Sequence, residues 1–357
     1  MNLRLLILLF FSVVFCFGQT EEKHKKSTLD INEFYGSILL HNPDISHLIT
    51  AHPMGLILSY NKKTYGLKEW EQAYDYPDVG GSFIYQEMNN ATLGRNFGLY
   101  GHYNFYFLKR NLQFRVATGL AYNTNPYDKN LNFRDNAYGS HILSSTYLML
   151  NYHKENIIDG LGFKAGLSVV HYSNANVKAP NTSTNTLAFN LGLVYDLDGG
   201  APVSYVTPTE LEKITEPIRF NLVFRSGINE SDVINSGQFP FYIFSAYADK
   251  RLSRKSAIQL GGDVFFSNFL KELIRYQSIS FPEVDVDPDT DYKRVGLFAG
   301  YELFMNKISL LGQFGYYVYY PYDFEGRTYL RIGMKYYITK KLFGAITLKS
   351  HGAKAEA

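Results

Sequence analysis

Three polar residues near the middle of the chain are spaced so that they could hydrolyse an ester. His171 and Ser173 end an alternating segment, and positions i and i+2 of a strand share one face. A serine hydroxyl becomes a nucleophile when a base takes its proton, and a third group must orient that base. Asn185 extends the apolar row of the next segment towards the same end. We therefore predict Ser173 as nucleophile, His171 as base and Asn185 as the residue that orients it.

The tetrahedral intermediate of such a reaction needs hydrogen-bond donors for its negative oxygen. Asn174 and the backbone N–H groups of Ala175 or Asn176 follow the serine and could supply them. The alternative is that His171 and Ser173 are polar tips within an aromatic girdle, without catalysis. The sequence predicts no metal site and no cofactor, since it lacks a phosphate-binding loop, a zinc-protease helix motif and a dinucleotide fingerprint.

The elements that must position these residues are strands with period-two alternation. In the segment 112–122, even positions are large or apolar, while odd positions include Gln113 and Arg115. The predicted strands run to about 10–13 residues, as needed to cross a bilayer at a tilt. Tyr and Phe crowd several strand ends, as interfacial girdles do. The pattern predicts an all-β fold, a transmembrane antiparallel barrel of about 14 strands, with a range of about 12–16.

The predicted strands follow one another to the end of the chain, which favours one large sheet. They are 81–88, 97–108, 112–123, 140–152, 160–173, 185–197, 217–227, 240–250, 256–268, 292–303, 307–320, 327–338 and 342–350. Residues 34–41 and 51–60 form either a first hairpin or a periplasmic cap. The odd number of strands leaves open that a closing strand is missing from this sequence.

The domain division follows from this pattern. Residues 1–18 have the layout of a Sec-type signal peptide, with an apolar run that is too short to span a membrane. Residues 19–80 form the N-terminal segment, and 81–357 the outer-membrane barrel. The net charge of +2 argues against a nucleic-acid partner. Inward basic residues such as Arg115, Arg331 and Lys335 indicate a charged lumen, either a pore or an ion-paired plug. The connection 198–216 is long where a short periplasmic turn is expected.

The stretch 171–181, HYSNANVKAPN, resembles the signature of PagL-type lipid A 3-O-deacylases, which are acyloxyacyl hydrolases with an H-x-S-N-A motif followed by K-x-P-N. The resemblance implies an outer-membrane barrel that removes an ester-linked acyl chain from lipid A in lipopolysaccharide, without a metal or cofactor. It implies that His171 is the base, Ser173 the nucleophile and Asn174 part of the oxyanion hole.

The chain departs from that family in three respects. The third catalytic residue of the family is a Glu at the position of Asn185, and Asn176 stands where Gly is frequent. The well-known members are about half this length, so the chain looks like a longer, Bacteroidetes-like branch. The sequence therefore predicts a carboxylic ester hydrolase that acts on lipid A. A porin, or a structural or lipid-binding barrel without activity, is the alternative.

Overall fold

The computed structural model describes residues 26–198, 204–207, 216–351 and 354–356. The first half of the chain forms eight strands: β1 (Ser27–Ile38), β2 (Met54–Lys62), β3 (Asp78–Glu87), β4 (Arg95–Phe107), β5 (Leu112–Asn123), β6 (Ile142–Ile158), β7 (Leu161–Ser173) and β8 (Thr184–Asp196). The second half forms eight more: β9 (Arg219–Glu230), β10 (Gln238–Arg251), β11 (Ser256–Ser267), β12 (Arg294–Met305), β13 (Ile308–Tyr319), β14 (Thr328–Tyr337), β15 (Phe343–His351) and β16 (Lys354–Glu356).

The strands divide into two antiparallel sheets. Strands β1–β8 form a closed barrel, because β1 pairs with β8 along its length. Strands β9–β16 form a second sheet, here called the open sheet, in sequence order; its two ends do not pair with each other among the described residues. The predicted all-β class is confirmed, and the strand number lies within the predicted range. The expectation of one large sheet is wrong, because alternation defines faces and does not specify which edges meet.

Both sheets have apolar outer faces and polar interiors, which is the arrangement of membrane barrels. On β8 the outward row includes Phe189 and Leu191, which are 57% and 51% exposed. On β9 the outward Phe220 and Leu222 are 86% and 88% exposed. A soluble sheet would bury such rows, so these faces are suited to lipid.

The interiors are filled by buried ion pairs. In the closed barrel Asp30 accepts hydrogen bonds from Arg115 at 2.8 Å and contacts Lys164 at 3.1 Å. In the open sheet Arg331 pairs with Asp263 at 3.0 Å, across strands that are not neighbours, which shows that this sheet curls. Of the two predictions for the charged lumen, these contacts fit the ion-paired plug better than the pore.

Among the described residues, two α-helices lie between strands. The helix α1 (Glu69–Ala73) contains Trp70. The helix α2 (Asn268–Ser280) follows β11, largely in the interval between two predicted strands, and it buries Phe269, Leu270, Leu273 and Ile274. None of the helices among the described residues has the length and apolar character needed to cross a membrane.

The closed barrel includes part of the predicted N-terminal segment, 19–80. Residues 34–41 and 51–60 fall largely in β1 and β2, which form a hairpin inside the closed barrel, so the barrel begins before residue 81. The long connection 198–216 joins the two sheets, which explains why it breaks the short-turn pattern. The predicted signal peptide, 1–18, lies outside the described residues.

Candidate functional site

The predicted catalytic residues lie at the end of the closed barrel that carries the longer loops. Strands β7 and β8 are joined by residues 174–183, here called the motif loop, and His171 stands directly opposite Asn185 in their register. His171 continues the outward row of β7, which includes Leu161 and Leu167. Period-two alternation therefore places the imidazole on the outer wall of the barrel.

The ring of His171 is held by the side chain of Asn185. His171 Nδ1 lies 2.8 Å from Asn185 Oδ1. Because an amide oxygen only accepts, this bond requires a proton on Nδ1 and leaves a lone pair on Nε2. Nε2 has no hydrogen-bond partner in the part of the chain that the structure describes. The ring is thus in the tautomer that a general base needs.

Ser173 follows the same outward parity, but the motif loop covers it. The residue is 3% exposed, and its hydroxyl donates to Asn181 Oδ1 at 3.1 Å. It also accepts a hydrogen bond from the backbone N–H of Ala175 at 2.9 Å. Among the described residues no hydrogen bond joins the hydroxyl to His171. The predicted side-by-side pair is therefore adjacent along the strand but not hydrogen-bonded.

The motif loop begins with a tight turn in a left-handed conformation. Val177 N–H donates to Asn174 O at 3.2 Å, and the two central residues, Ala175 and Asn176, have φ of 58° and 63°. These values are typical of a type I′ turn, which Gly and Asn adopt more readily than Ala. This geometry explains why Asn can replace the frequent Gly at position 176. The turn at Ala175 costs about 1 kcal/mol or more, and strain of this kind often marks functional loops.

The predicted oxyanion donors already have partners within the loop. Asn174 N–H donates to Asn181 Oδ1 at 2.9 Å, and Asn176 N–H donates to Asn174 Oδ1 at 3.1 Å. The amide group of Asn174 donates to Lys178 O at 2.6 Å. Asn181 thus ties the hydroxyl of Ser173 to the start of the turn. It is the last residue of the K-x-P-N stretch, and its direct contact with Ser173 was not predicted.

A neighbouring loop of the closed barrel supports the far side of the motif loop. Thr182 and Ser183 donate backbone hydrogen bonds to Asn136 O and Ala137 O. Asp135, just before them, accepts from the backbone N–H groups of Ala137 and Tyr138. Burial raises the pKa of Asp135 to about 7, because its second oxygen is buried without a partner among the described residues. This support is therefore sensitive to pH.

A carboxylate of the open sheet holds the near side of the motif loop. Glu230, at the end of β9, accepts from Ala179 N–H at 2.8 Å. Its backbone N–H donates to Asn176 O at 3.0 Å, and the Asn176 amide donates back to Glu230 O at 3.3 Å. Glu230 is 3% exposed. This role leaves no local signal in the sequence, because Glu230 lies 51 positions from Ala179 and in the other sheet.

Polar residues outside the motif loop form hydrogen bonds that need no ligand to explain them. No group of three His, Cys, Asp or Glu side chains placed to hold a metal ion occurs among the described residues. Four aspartates alternate along the chain at positions 285, 287, 289 and 291; Asp287 accepts from Asp289 N–H, and Asp291 accepts from the hydroxyl of Tyr319. His102 is buried and hydrogen-bonded to Ser82 and Asn61, which is typical of a structural histidine.

Several solved structures match the chain at a distance. A mutant of the Rh. blastica porin is 10% identical, with coverage of 92% of this chain and 96% of the porin and a TM-score of 0.20. Acinetobacter baumannii OccAB3 is 12% identical, with 92% of each chain covered and a TM-score of 0.23. A mutant of the TodX monoaromatic hydrocarbon channel is 8% identical, with coverage of 93% and 85% and a TM-score of 0.18. These scores are too low to support any structural argument. No curated protein matches the chain at a significant level.

Family models match both halves of the chain. The model described as lipid A 3-O-deacylase (PagL) matches residues 54–194, which lie within the closed barrel and include the motif loop. The model described as the C-terminal domain of acyloxyacyl hydrolase matches residues 218–357, which contain the open sheet. The interval between the two matches is the connection between the sheets. The chain belongs to the PagL-type family of lipid A deacylases and acyloxyacyl hydrolases.

Proposed function

We propose that this protein is an outer-membrane serine esterase that removes an ester-linked acyl chain from lipid A. One observation supports the chemistry most directly: Asn185 Oδ1 holds His171 Nδ1 at 2.8 Å and leaves Nε2 as a base, two residues from Ser173. The outward position of His171 on a barrel with apolar outer rows supports a substrate that lies in the membrane. The family membership supports lipid A as that substrate, and it supports export by the predicted signal peptide to the outer membrane.

The proposed reaction begins with a rotation of the Ser173 side chain. The hydroxyl leaves Asn181 and turns to His171 Nε2, which takes its proton as Oγ attacks the acyl carbonyl. The resulting imidazolium is oriented by Asn185. It then returns the proton to the sugar oxygen that leaves. Water hydrolyses the acyl-enzyme by the same path, with His171 again as base, and releases a fatty acid.

The contacts of the turn single out one oxyanion donor. Ala175 N–H points at the Ser173 hydroxyl oxygen in the resting arrangement. When that oxygen bonds to the acyl carbon, the same N–H lies beside the negative oxygen of the intermediate. Asn174 N–H and Asn176 N–H remain engaged with side-chain oxygens of the loop. Within the predicted set, we therefore assign the leading role to Ala175.

Asn185 has a different effect from the Glu of related enzymes. Its amide oxygen fixes the ring tautomer, as a carboxylate would, but it carries no charge to stabilise imidazolium. We therefore propose a working but slower enzyme. Replacement of Asn185 by Glu is expected to raise the rate of acyl release.

The test is acyl release from lipid A by the purified protein in detergent micelles, followed by mass spectrometry. Ser173→Ala is expected to lower the rate by a factor on the order of 10³ or more. Ser144→Ala is the matched control, because Ser144 is an exposed serine that pairs with Ser173 in the register of β6 and β7. Equal release by the wild type and Ser173→Ala would contradict the proposal.

A further inference from the structure

The open sheet has a lateral opening between its two ends. Strands β9 and β15 run in the same direction, so they cannot pair with each other as antiparallel neighbours. The short β16 runs against β15 but covers only Lys349–His351. On the edge of β15 that faces away from β14, residues 343–348 have no partner strand in the described part of the chain. A cavity of about 510 Å³ fills this gap, here called the seam.

The mouth of the seam is apolar and faces the same way as the outer rows. Its rim is formed by Phe224 and Ile228 of β9 and Ile346 of β15, which are 58%, 49% and 78% exposed. The inner part is lined by Phe241 and Ile243 of β10. The volume lies within the range of about 300–1,000 Å³ that is usual for small-ligand sites. A cavity of this size can hold one hydrocarbon chain.

The inner wall of the seam is positively charged. Arg225, Arg331 and Lys349 line the cavity, and the lining residues include no Asp or Glu. Arg331 is paired with Asp263, whereas the Arg225 side chain makes a single hydrogen bond to the described residues, from Nη1 to Ser245 Oγ at 2.6 Å. Its Nε and Nη2 are buried and have no partner among the described residues. These two atoms form one edge of the guanidinium, the geometry that binds a carboxylate through two parallel hydrogen bonds.

The seam reaches the motif loop. Val177, two residues after Ala175, lines the cavity, and Gln238 of β10 donates to Val177 O at 2.8 Å. A fatty acid released at Ser173 would therefore start beside the motif loop, which borders the seam. Rotation of the Arg225 side chain, which lines the cavity, would present its unpaired edge to a bound anion. Unpaired backbone N–H groups along β15 would add further donors.

We infer that the seam binds a long-chain carboxylate, the class of molecule that ester hydrolysis releases, with its chain between β9 and β15 and its carboxylate on Arg225. This inference rests on the proposed function for the origin of the ligand. The binding itself depends only on the open sheet. It assigns to the second half of the chain a site for product, separate from the bond-breaking residues.

The test measures binding of isotope-labelled dodecanoate to the full chain carrying Ser173→Ala, in nanodiscs, so that hydrolysis plays no part. Arg225→Gln is expected to weaken binding by about 10-fold or more, which corresponds to loss of a charge-assisted hydrogen bond. Gly344→Trp is expected to obstruct the seam and weaken binding similarly. Gly312→Trp is the matched control, because a Cβ at Gly344 and one at Gly312 each meet nothing within 4 Å, but Gly312 lies on β13 away from the seam. It should bind within about twofold of the parent.

Three outcomes would overturn the inference. The first is equal affinity in the parent, Arg225→Gln and Gly344→Trp proteins. The second is equal binding of dodecanol and dodecanoate, or equally strong displacement by a two-chain anionic phospholipid. The third is a dimer that Gly344→Trp dissociates, which would make a second copy the occupant of the seam. If the wild-type protein releases no acyl chain from lipid A but dodecanoate binding behaves as expected, only the proposed function is contradicted.

Discussion

The closed barrel and the open sheet differ in whether their edge strands are paired. In the closed barrel every strand has two neighbours, and the candidate catalytic residues project from the wall near one end. In the open sheet β9 and β15 leave a lateral seam, and charged side chains line its inner wall. Backbone edges are costly in hydrocarbon unless they border protein or a polar cavity. In our proposal the closed part provides a support for bond breaking, and the open part provides space for a ligand.

The two parts meet at the motif loop. The closed barrel supplies its ends through β7 and β8, whereas Glu230 of the open sheet holds its middle by three hydrogen bonds. One joins the backbones of Glu230 and Asn176, one runs from Ala179 N–H to the Glu230 carboxylate, and one runs from the Asn176 amide to the Glu230 carbonyl. A protein made of the closed barrel alone would lack this carboxylate. In the proposed mechanism, the second half of the chain supports the motif loop without contributing a reacting atom.

The largest expected effect concerns the closed barrel alone. His171→Gln removes the base, and acyl release should fall by a factor on the order of 10³ or more. His141→Gln is the control, since His141 is exposed, stacks on Tyr122 and has its ring Nδ1 bonded to the backbone oxygen of Asn123. Mass spectrometry of released acyl chains measures both. A His171→Gln protein with wild-type rate would show that the chemistry lies elsewhere.

A smaller effect is expected where the two parts meet. In wild-type protein the two carboxylate oxygens of Glu230 accept from Ala179 N–H and Gly237 N–H. Glu230→Gln replaces one of these oxygens by an NH₂ group, so one of the two hydrogen bonds is lost. Loss of one charge-assisted bond should lower acyl release by about 10-fold or more, while the closed barrel keeps its thermal stability. Glu283→Gln, at an exposed site beyond α2, serves as control. If Glu230→Gln and Glu283→Gln have the same rate, the open sheet does not shape the site.

The smallest effect is a pH dependence of stability in the closed barrel. Burial raises the pKa of Asp135 to about 7 in the folded protein, whereas its ordinary value is 3.8. The folded state therefore holds this proton more tightly than the unfolded state, and stability should fall as pH rises from about 4 to about 7. Asp135→Asn keeps the oxygen that accepts from Ala137 and should flatten this dependence. The unfolding temperatures of both proteins are measured at pH 5 and pH 8. An equal change between the two pH values in wild type and Asp135→Asn would show that Asp135 is not the titrating group.

Strand positions were predictable because alternation is a local property. All thirteen predicted strands from 81–88 to 342–350 correspond to observed strands, β3 to β15, with ends displaced by a few residues. The contact between His171 and Asn185 followed from the same alternation, since consecutive strands of a hairpin are neighbours. The helix α2 was missed although Phe269, Leu270, Leu273 and Ile274 recur at helical spacing.

The division into two sheets was not predictable, because closure depends on which distant edges pair. β1 and β8 are separated by more than 100 residues, and neither strand carries a local signal of that pairing. Glu230 was missed for a related reason, since its partners Asn176 and Ala179 belong to the other sheet. The bond from Ser173 to Asn181 depends on the left-handed turn at Ala175, which Ala rarely adopts.

The most direct test of the account is to locate the nucleophile covalently. Purified protein is treated with a long-chain fluorophosphonate, which reacts with activated serine hydroxyls, and the modified peptide is identified by mass spectrometry. The account predicts modification of Ser173, near the end of β7, and its disappearance in His171→Gln. Modification of a serine in the open sheet, or labelling of Ser173 that persists without His171, would contradict it.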